Sequence, residues 1–340
     1  MATDGVVQQL RLQGQDLPRL HRGGGRLAAL PARLPDPRRE RHLRLARGEA
    51  VTLRAAARAL SVLLVTAPLL ALSSAASGQD GCGEVVTIAT HGRTTTLYAL
   101  ASPKIQSSEG GRVALVLLAG GGGYLDLDDK GCARELKGNS LVRSVPDFHA
   151  AGFVTALVDA PSDHPGEDGL AGFRITPQHA EDLGKVIADV RARTNAAVWL
   201  VGTSRGTISA VNAGARLSGP TAPDGLVLTS ALMAGGPGGQ RPWVTQTVFD
   251  LPLDAIRMPV LVVGHVADSC IRSPARLMGN ITARTNGARE QVVTVTGGPG
   301  SPAGSQPSVG ACQGRSPHGF VQQEAEVAAG IARFVRGGSY

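Results

Sequence analysis

The sequence predicts an α/β fold: a mainly parallel sheet covered by helices on both faces. Three observations predict it. From Glu84 to the C-terminus, short apolar runs alternate with longer amphipathic segments. The runs are continuously apolar, VALVLL at Val113 to Leu118 being the clearest, as strands buried on both faces must be. The longer segments repeat every three to four residues, the signature of helices with one buried stripe.

The elements follow in order. Residues 85–90 and 94–99 are β-branched runs around His91-Gly92-Arg93, which predicts a hairpin. Residues 113–118 form the next strand and 141–150 the first helix. A strand at 153–158 leads to the best-defined helix, 177–193, where Ala180, Leu183, Ile187 and Val190 fall on one face. Thr176 caps it, Pro177 suits its first turn, and Glu181 and Asp182 lie near its positive end. Strands are expected at 197–201, 225–228, 260–263 and 291–295. Further helices are expected at 206–217, 273–285 and 322–336. There is no internal repeat.

Charge separates this body from what precedes it. The chain of 340 residues carries a formal net charge of +7, with 34 Lys+Arg and 27 Asp+Glu. Up to Ser77 there are 12 Arg against 5 acids, a net of +7, so the remainder holds 22 of each and is neutral. The body has no global field to attract nucleic acid or an anionic membrane. Residues 1–50 are rich in Arg, Pro and Gly without a period, and are expected to be a disordered leader, or untranslated if Val51 is the true start. Residues 51–77 pair Arg54 and Arg58 with the apolar run LSVLLVTAPLLAL and the small residues SSAAS, as in a signal peptide. Pro68 and the short run argue against a lasting membrane anchor. The expected product is an exported domain, 78–340, periplasmic or secreted.

All four cysteines, Cys82, Cys132, Cys270 and Cys312, lie in that body. An even count in an exported domain fits two disulfides, with three pairings open. No C-x-x-C or H-E-x-x-H occurs, so the motifs imply no metal and no cofactor.

The chemistry gathers around Gly202-Thr203-Ser204-Arg205-Gly206. Among 45 glycines the string alone is weak, but here it joins a buried strand to a helix. A serine in so tight a turn is lifted above the sheet edge, and a Cβ at either glycine would strike backbone. The helix N-terminus then offers N–H groups to a developing negative charge.

With these residues the body resembles the α/β-hydrolase superfamily, and more narrowly exported bacterial serine hydrolases of undefined substrate. The resemblance implies a Ser-Asp-His triad and no large cap domain. Asp268, ending PVLVVGHVAD, is the expected acid, with Asp159, Asp250 and Asp254 as rivals. His318, in SPHGF, is the expected base and the one His after Asp268. The turn Ala119-Gly120-Gly121-Gly122-Gly123 is expected to complete an oxyanion hole through the N–H groups of Gly121 and Arg205. Tyr124, Trp243 and Phe249 are candidate substrate contacts, with packing the alternative for Trp243 and Phe249. The Arg205 side chain is expected to be structural rather than a substrate contact. Because such a fold brings the acid and histidine loops together, Cys270 and Cys312 are the expected disulfide, leaving Cys82 and Cys132 paired or free. The implied activity is hydrolysis of an ester, or an amide, of a small molecule through an acyl-enzyme; a non-catalytic binding protein on the same fold is the alternative.

Overall fold

The computed structural model describes residues 82–103, 112–239, 241–301 and 305–340. The expected leader, 1–50, and signal peptide, 51–77, lie outside the described residues.

The body is built on an eight-stranded sheet in the order β1-β2-β4-β3-β5-β6-β7-β8. The strands are β1 (Glu84–Ala89), β2 (Thr95–Ala101), β3 (Val113–Leu118), β4 (Val154–Val158), β5 (Ala197–Thr203), β6 (Gly225–Thr229), β7 (Val260–His265) and β8 (Glu290–Val295). The pairs β1–β2 and β2–β4 are antiparallel, and every other pair is parallel. The hairpin is where it was expected.

Strand residues alternate between two cores. Ala114, Val116 and Leu118 of β3 join one, with Val198 and Leu200 of β5. Leu115 and Leu117 join the other, with Trp199 and Val201. Both sets are buried, which is why these strands read as unbroken apolar runs. Helices α2 (Pro177–Thr194) and α3 (Gly206–Arg216) pack together over the first core. Helices α1 (Ser140–Ala150) and α5 (Glu324–Val335) pack together over the second.

Helix α2 has the predicted ends. Thr176 accepts a hydrogen bond from the His179 N–H, Pro177 opens the first turn, and Asn195 closes the helix at φ 48°. Asp182 is not a free charge at the positive end. It is buried and 2.5 Å from His91 Nδ1.

One expected helix is absent. Residues 273–285 form a 3₁₀ turn, Ala275–Leu277, and a single helical turn, α4 (Gly279–Thr282). Pro274 precedes the first and Gly279 opens the second. Only Met278 and Ile281 supply buried apolar side chains, too few for a stable stripe. Between β6 and β7 the described residues hold only the 3₁₀ turns Pro242–Thr245, Val248–Asp250 and Leu253–Ala255, so there is no large cap domain. Among the described residues no helix is long and apolar enough to cross a membrane.

Candidate active site

Ser204 stands between the end of β5 and the start of α3 at φ 51°, a left-handed conformation that serine rarely adopts. Close packing forces it there. A Cβ on Gly202 would lie 2.6 Å from the Gly206 carbonyl oxygen, and one on Gly206 would lie 2.0 Å from that of Leu118. The Ser204 N–H donates to Thr229 O at 3.0 Å, tying the turn to the end of β6. Thr207 donates back to Ser204 O through both its N–H and its hydroxyl.

The glycine turn after β3 lies against this serine. A Cβ on Gly120 would be 2.9 Å from the Ser204 Cβ. Among the described residues the N–H groups of Gly121 and Arg205 make no hydrogen bond, so both are free to donate. Arg174, which the sequence reading missed, holds the turn from behind. Its guanidinium donates to Ala119 O at 2.9 Å, to Gly121 O at 3.4 Å and to Ser209 Oγ on α3 at 2.7 Å. Arg174 is 1% exposed. Burial, with Arg205 as a nearby cation, lowers its pKa to about 9.

Asp268 and His318 meet at the other end of the site. Asp268 Oδ2 is 2.9 Å from His318 Nδ1, and their side chains are 1% and 3% exposed. Asp268 Oδ1 accepts the Cys270 N–H at 2.7 Å, which fixes the carboxylate. An ionised carboxylate only accepts, so Nδ1 carries the proton and Nε2 keeps its lone pair. His318 Nε2 is buried with no partner. Ser204 and His318 are not hydrogen-bonded to each other. They meet the same piece of chain, because Ser204 binds Thr229 O and the Ser230 hydroxyl donates to His318 O at 2.7 Å.

Two disulfides occur, Cys82–Cys132 and Cys270–Cys312. The second joins the acid loop to the histidine loop, as expected, and bridges such as these fit an oxidising compartment. Arg143 of α1, also unforeseen, donates to Gly314 O and Gly319 O, each at 2.9 Å, and pairs with Glu324.

The rival acids have other work. Asp159 accepts the N–H groups of Leu125, Leu127 and Ala160. Asp250 completes the capping box of Thr247. Asp254 is exposed.

A cavity of about 580 Å³ is lined by Gly121, Tyr124, Arg205, Arg241 and Trp243, with Glu167 and Asp168 also in its wall. Tyr124 and Trp243, two of the three candidate substrate contacts, are thus part of its lining. Phe249 does not line it: it is partly buried against the α2–α3 core with Arg284 over its ring, and Val248 is the buried residue of their 3₁₀ turn. The Arg205 side chain caps nothing at the helix start. It lies 3.7 Å over the Trp243 ring and faces the cavity, and burial lowers its pKa to about 10.

No family model and no curated relative matches the sequence. Solved structures do match. The thermophilic esterase Est2 of the planctomycete Thermogutta terrifontis aligns at 16% identity and TM-score 0.50, over 76% of this chain and 96% of its own. Est1E from Butyrivibrio proteoclasticus aligns at 16% identity and TM-score 0.49, over 74% and 98%. An α/β serine hydrolase homologue from Coxiella burnetii aligns at 15% identity and TM-score 0.45, over 74% and 97%. The sheet order, the helices on both faces and the match to the Thermogutta esterase together identify the α/β-hydrolase fold.

Proposed function

We propose that this chain is an exported serine hydrolase that cleaves an ester, or an amide, through an acyl-enzyme on Ser204. The observation that carries the reading is the buried Asp268–His318 pair, whose second imidazole nitrogen has no partner. A buried lone pair left unsatisfied is costly, and a proton-accepting role accounts for it.

In this reading Ser204 attacks the carbonyl carbon while His318 Nε2 takes its proton. The tetrahedral oxyanion is held by the N–H groups of Gly121 and Arg205. His318 then returns the proton to the leaving group, which departs as alcohol or amine. Water repeats the sequence on the acyl-enzyme, releasing the acid and restoring Ser204. Asp268 keeps His318 in the correct tautomer and stabilises the imidazolium. The missing Ser204–His318 hydrogen bond is compatible with this, since such contacts often tighten only on substrate. The cavity beside Gly121 and Arg205 has the size of a small-molecule site, for which roughly 300–1,000 Å³ is usual.

A fluorophosphonate probe should label Ser204 in the wild-type protein and fail to label Ser204→Ala. That variant should keep its melting temperature and lose about 10⁴-fold in kcat across an ester panel. Asp268→Asn should be similarly crippled, and Asp159→Asn should fold poorly rather than turn over slowly. An unlabelled wild-type protein that still binds small esters would favour the non-catalytic binding protein instead.

A further inference from the structure

Away from Ser204, the turn between β1 and β2 meets the loop that follows β4. His91 Nε2 is 2.9 Å from Asp163 Oδ2, and His164 Nε2 is 4.0 Å from the same oxygen. One ligand atom from each of the three residues lies within 4.8 Å of the others. A tetrahedral zinc ion with bonds of about 2.0–2.1 Å keeps its ligand atoms about 3.3 Å apart, so small side-chain rotations would close the set on an ion.

The contacts behind the rings set the tautomers. His164 Nδ1 is 3.2 Å from Gly169 O, which only accepts, so that nitrogen holds the proton and Nε2 presents its lone pair. His91 Nδ1 is 2.5 Å from the buried Asp182 carboxylate, which holds a proton on that nitrogen; Nε2, 2.9 Å from Asp163, holds a second proton that a metal ion would displace. A carboxylate or carbonyl behind each imidazole is the usual outer support of metal-binding histidines. Phe173 holds both rings, with centroids 5.0 Å from His91 and 4.4 Å from His164, the latter stacked. A simple ion pair accounts for His91 between its two carboxylates. It leaves unexplained the His164 Nε2, which makes no hydrogen bond among the described residues yet faces Asp163. The other grouping of ligating side chains, Asp268, Cys270 and His318, offers no comparable set, since the Cys270 sulfur is in a disulfide.

We propose that His91, Asp163 and His164 bind a divalent transition-metal ion, zinc, with a fourth position open to water. Two imidazoles and one carboxylate suit this borderline cation, and zinc needs no reducing environment, in keeping with a body that holds two disulfides. The ion would fasten the β1–β2 turn to the loop that continues to Glu167 and Asp168. That loop supports the glycine turn directly: Leu170 N–H donates to Gly122 O at 2.8 Å, and a Cβ on Gly122 would lie 2.2 Å from Glu167 O. The metal would therefore brace one wall of the cavity without touching the reacting atoms, whether or not Ser204 is the nucleophile.

The test uses the full chain, stripped by chelator and titrated with Zn²⁺ alone in a calorimeter. Uptake of one equivalent is expected, with a rise in melting temperature. Asp163→Asn and His164→Ala should each weaken binding at least tenfold, and His318→Ala should leave it unchanged. Cobalt should report a four-coordinate visible spectrum that His164→Ala abolishes. Asp163 is 44% exposed on its side chain, so its variant serves if His164→Ala fails to fold. Three results would overturn the proposal: no stoichiometric zinc in the wild type, uptake retained by Asp163→Asn, or uptake lost in His318→Ala.

Discussion

The two ends of the candidate site are positioned by different means. On the Ser204 side, backbone packs on backbone. Gly120, Gly202 and Gly206 leave no room for a Cβ, and the serine has no other place to go. On the His318 side, a long connection from β8 to α5 is held by side chains and a covalent bond: Cys270–Cys312, the Asp268 pair and the clasp of Arg143. Ser204 is therefore fixed by the fold itself, whereas His318 is fixed by ties that can be cut one at a time. Damage on the first side should unfold the protein. Damage on the second should lower activity before the fold gives way.

The largest effect belongs to Gly206→Ala. Its new Cβ would meet the carbonyl oxygens of Leu118, the last residue of β3, and of Ala119, which follows it. Backbone cannot step aside as a side-chain end can, so a loss of about 3 kcal/mol or more is expected in urea unfolding, with activity lost in parallel. A stable but inactive Gly206→Ala protein would mean that this side is less tightly determined than its packing indicates.

Reduction of Cys270–Cys312 comes next. The bridge closes a sequence separation of 42 residues, and loop-closure entropy assigns it about 3–4 kcal/mol. A Cys270→Ser/Cys312→Ser double variant should melt at a lower temperature. At temperatures where it is still folded, kcat and fluorophosphonate labelling of Ser204 should fall together, because both need His318 to take the serine proton. Equal loss of labelling and of fold would erase the distinction between the two sides.

Arg143→Met should have a smaller effect. Arg143 joins α1 to both flanks of His318 and pairs with Glu324, with side chains 17% and 19% exposed. Removing one member of this partly buried set should cost about 1–3 kcal/mol. Arg143→Lys should restore the charge but not the several directed bonds, and so should recover little activity.

The same contrast explains what could be read in advance. Strand-and-glycine chemistry is local: VALVLL, GTSRG and the run AGGGG carry their own packing rules, so Ser204 and its surroundings were legible. The pairing of Asp268 with His318 was expected from the chain order of the fold the sequence resembles, and the Cys270–Cys312 bridge from the loops that fold brings together. Arg143 and Arg174 were not found, because nothing nearby in sequence marks an arginine that will reach across to a distant carbonyl. For Phe249 both substrate contact and packing were left open, since an aromatic residue lining a cavity and one resting on the core look alike in a string; it rests on the core. The helix expected at 273–285 failed because periodicity cannot report that Pro274 and Gly279 leave only single turns between them.

The smallest effect tests the polar layer beneath the Ser204 side. His179 is 3% exposed, lies 2.8 Å from Ser209 Oγ on α3, and has no partner for Nδ1. Burial, reinforced by the Arg174 charge, holds its pKa well below the ordinary 6.5. In the unfolded chain the ring takes a proton near pH 6.5, whereas in the native protein it does not. Between those two pKa values the unfolded state binds more protons, so stability falls as pH drops through 6.5 and keeps falling until the native ring is protonated. One proton corresponds to about 1.4 kcal/mol per pH unit once the unfolded ring is fully charged. His179→Gln removes this titration and leaves the others in place. Urea unfolding of both proteins at pH 7.5 and pH 5.5 should show the wild type losing about 1 kcal/mol more than the variant over that interval. An identical acid response in the two proteins would show that His179 titrates natively, and that the layer under α3 is more open to water than its burial indicates.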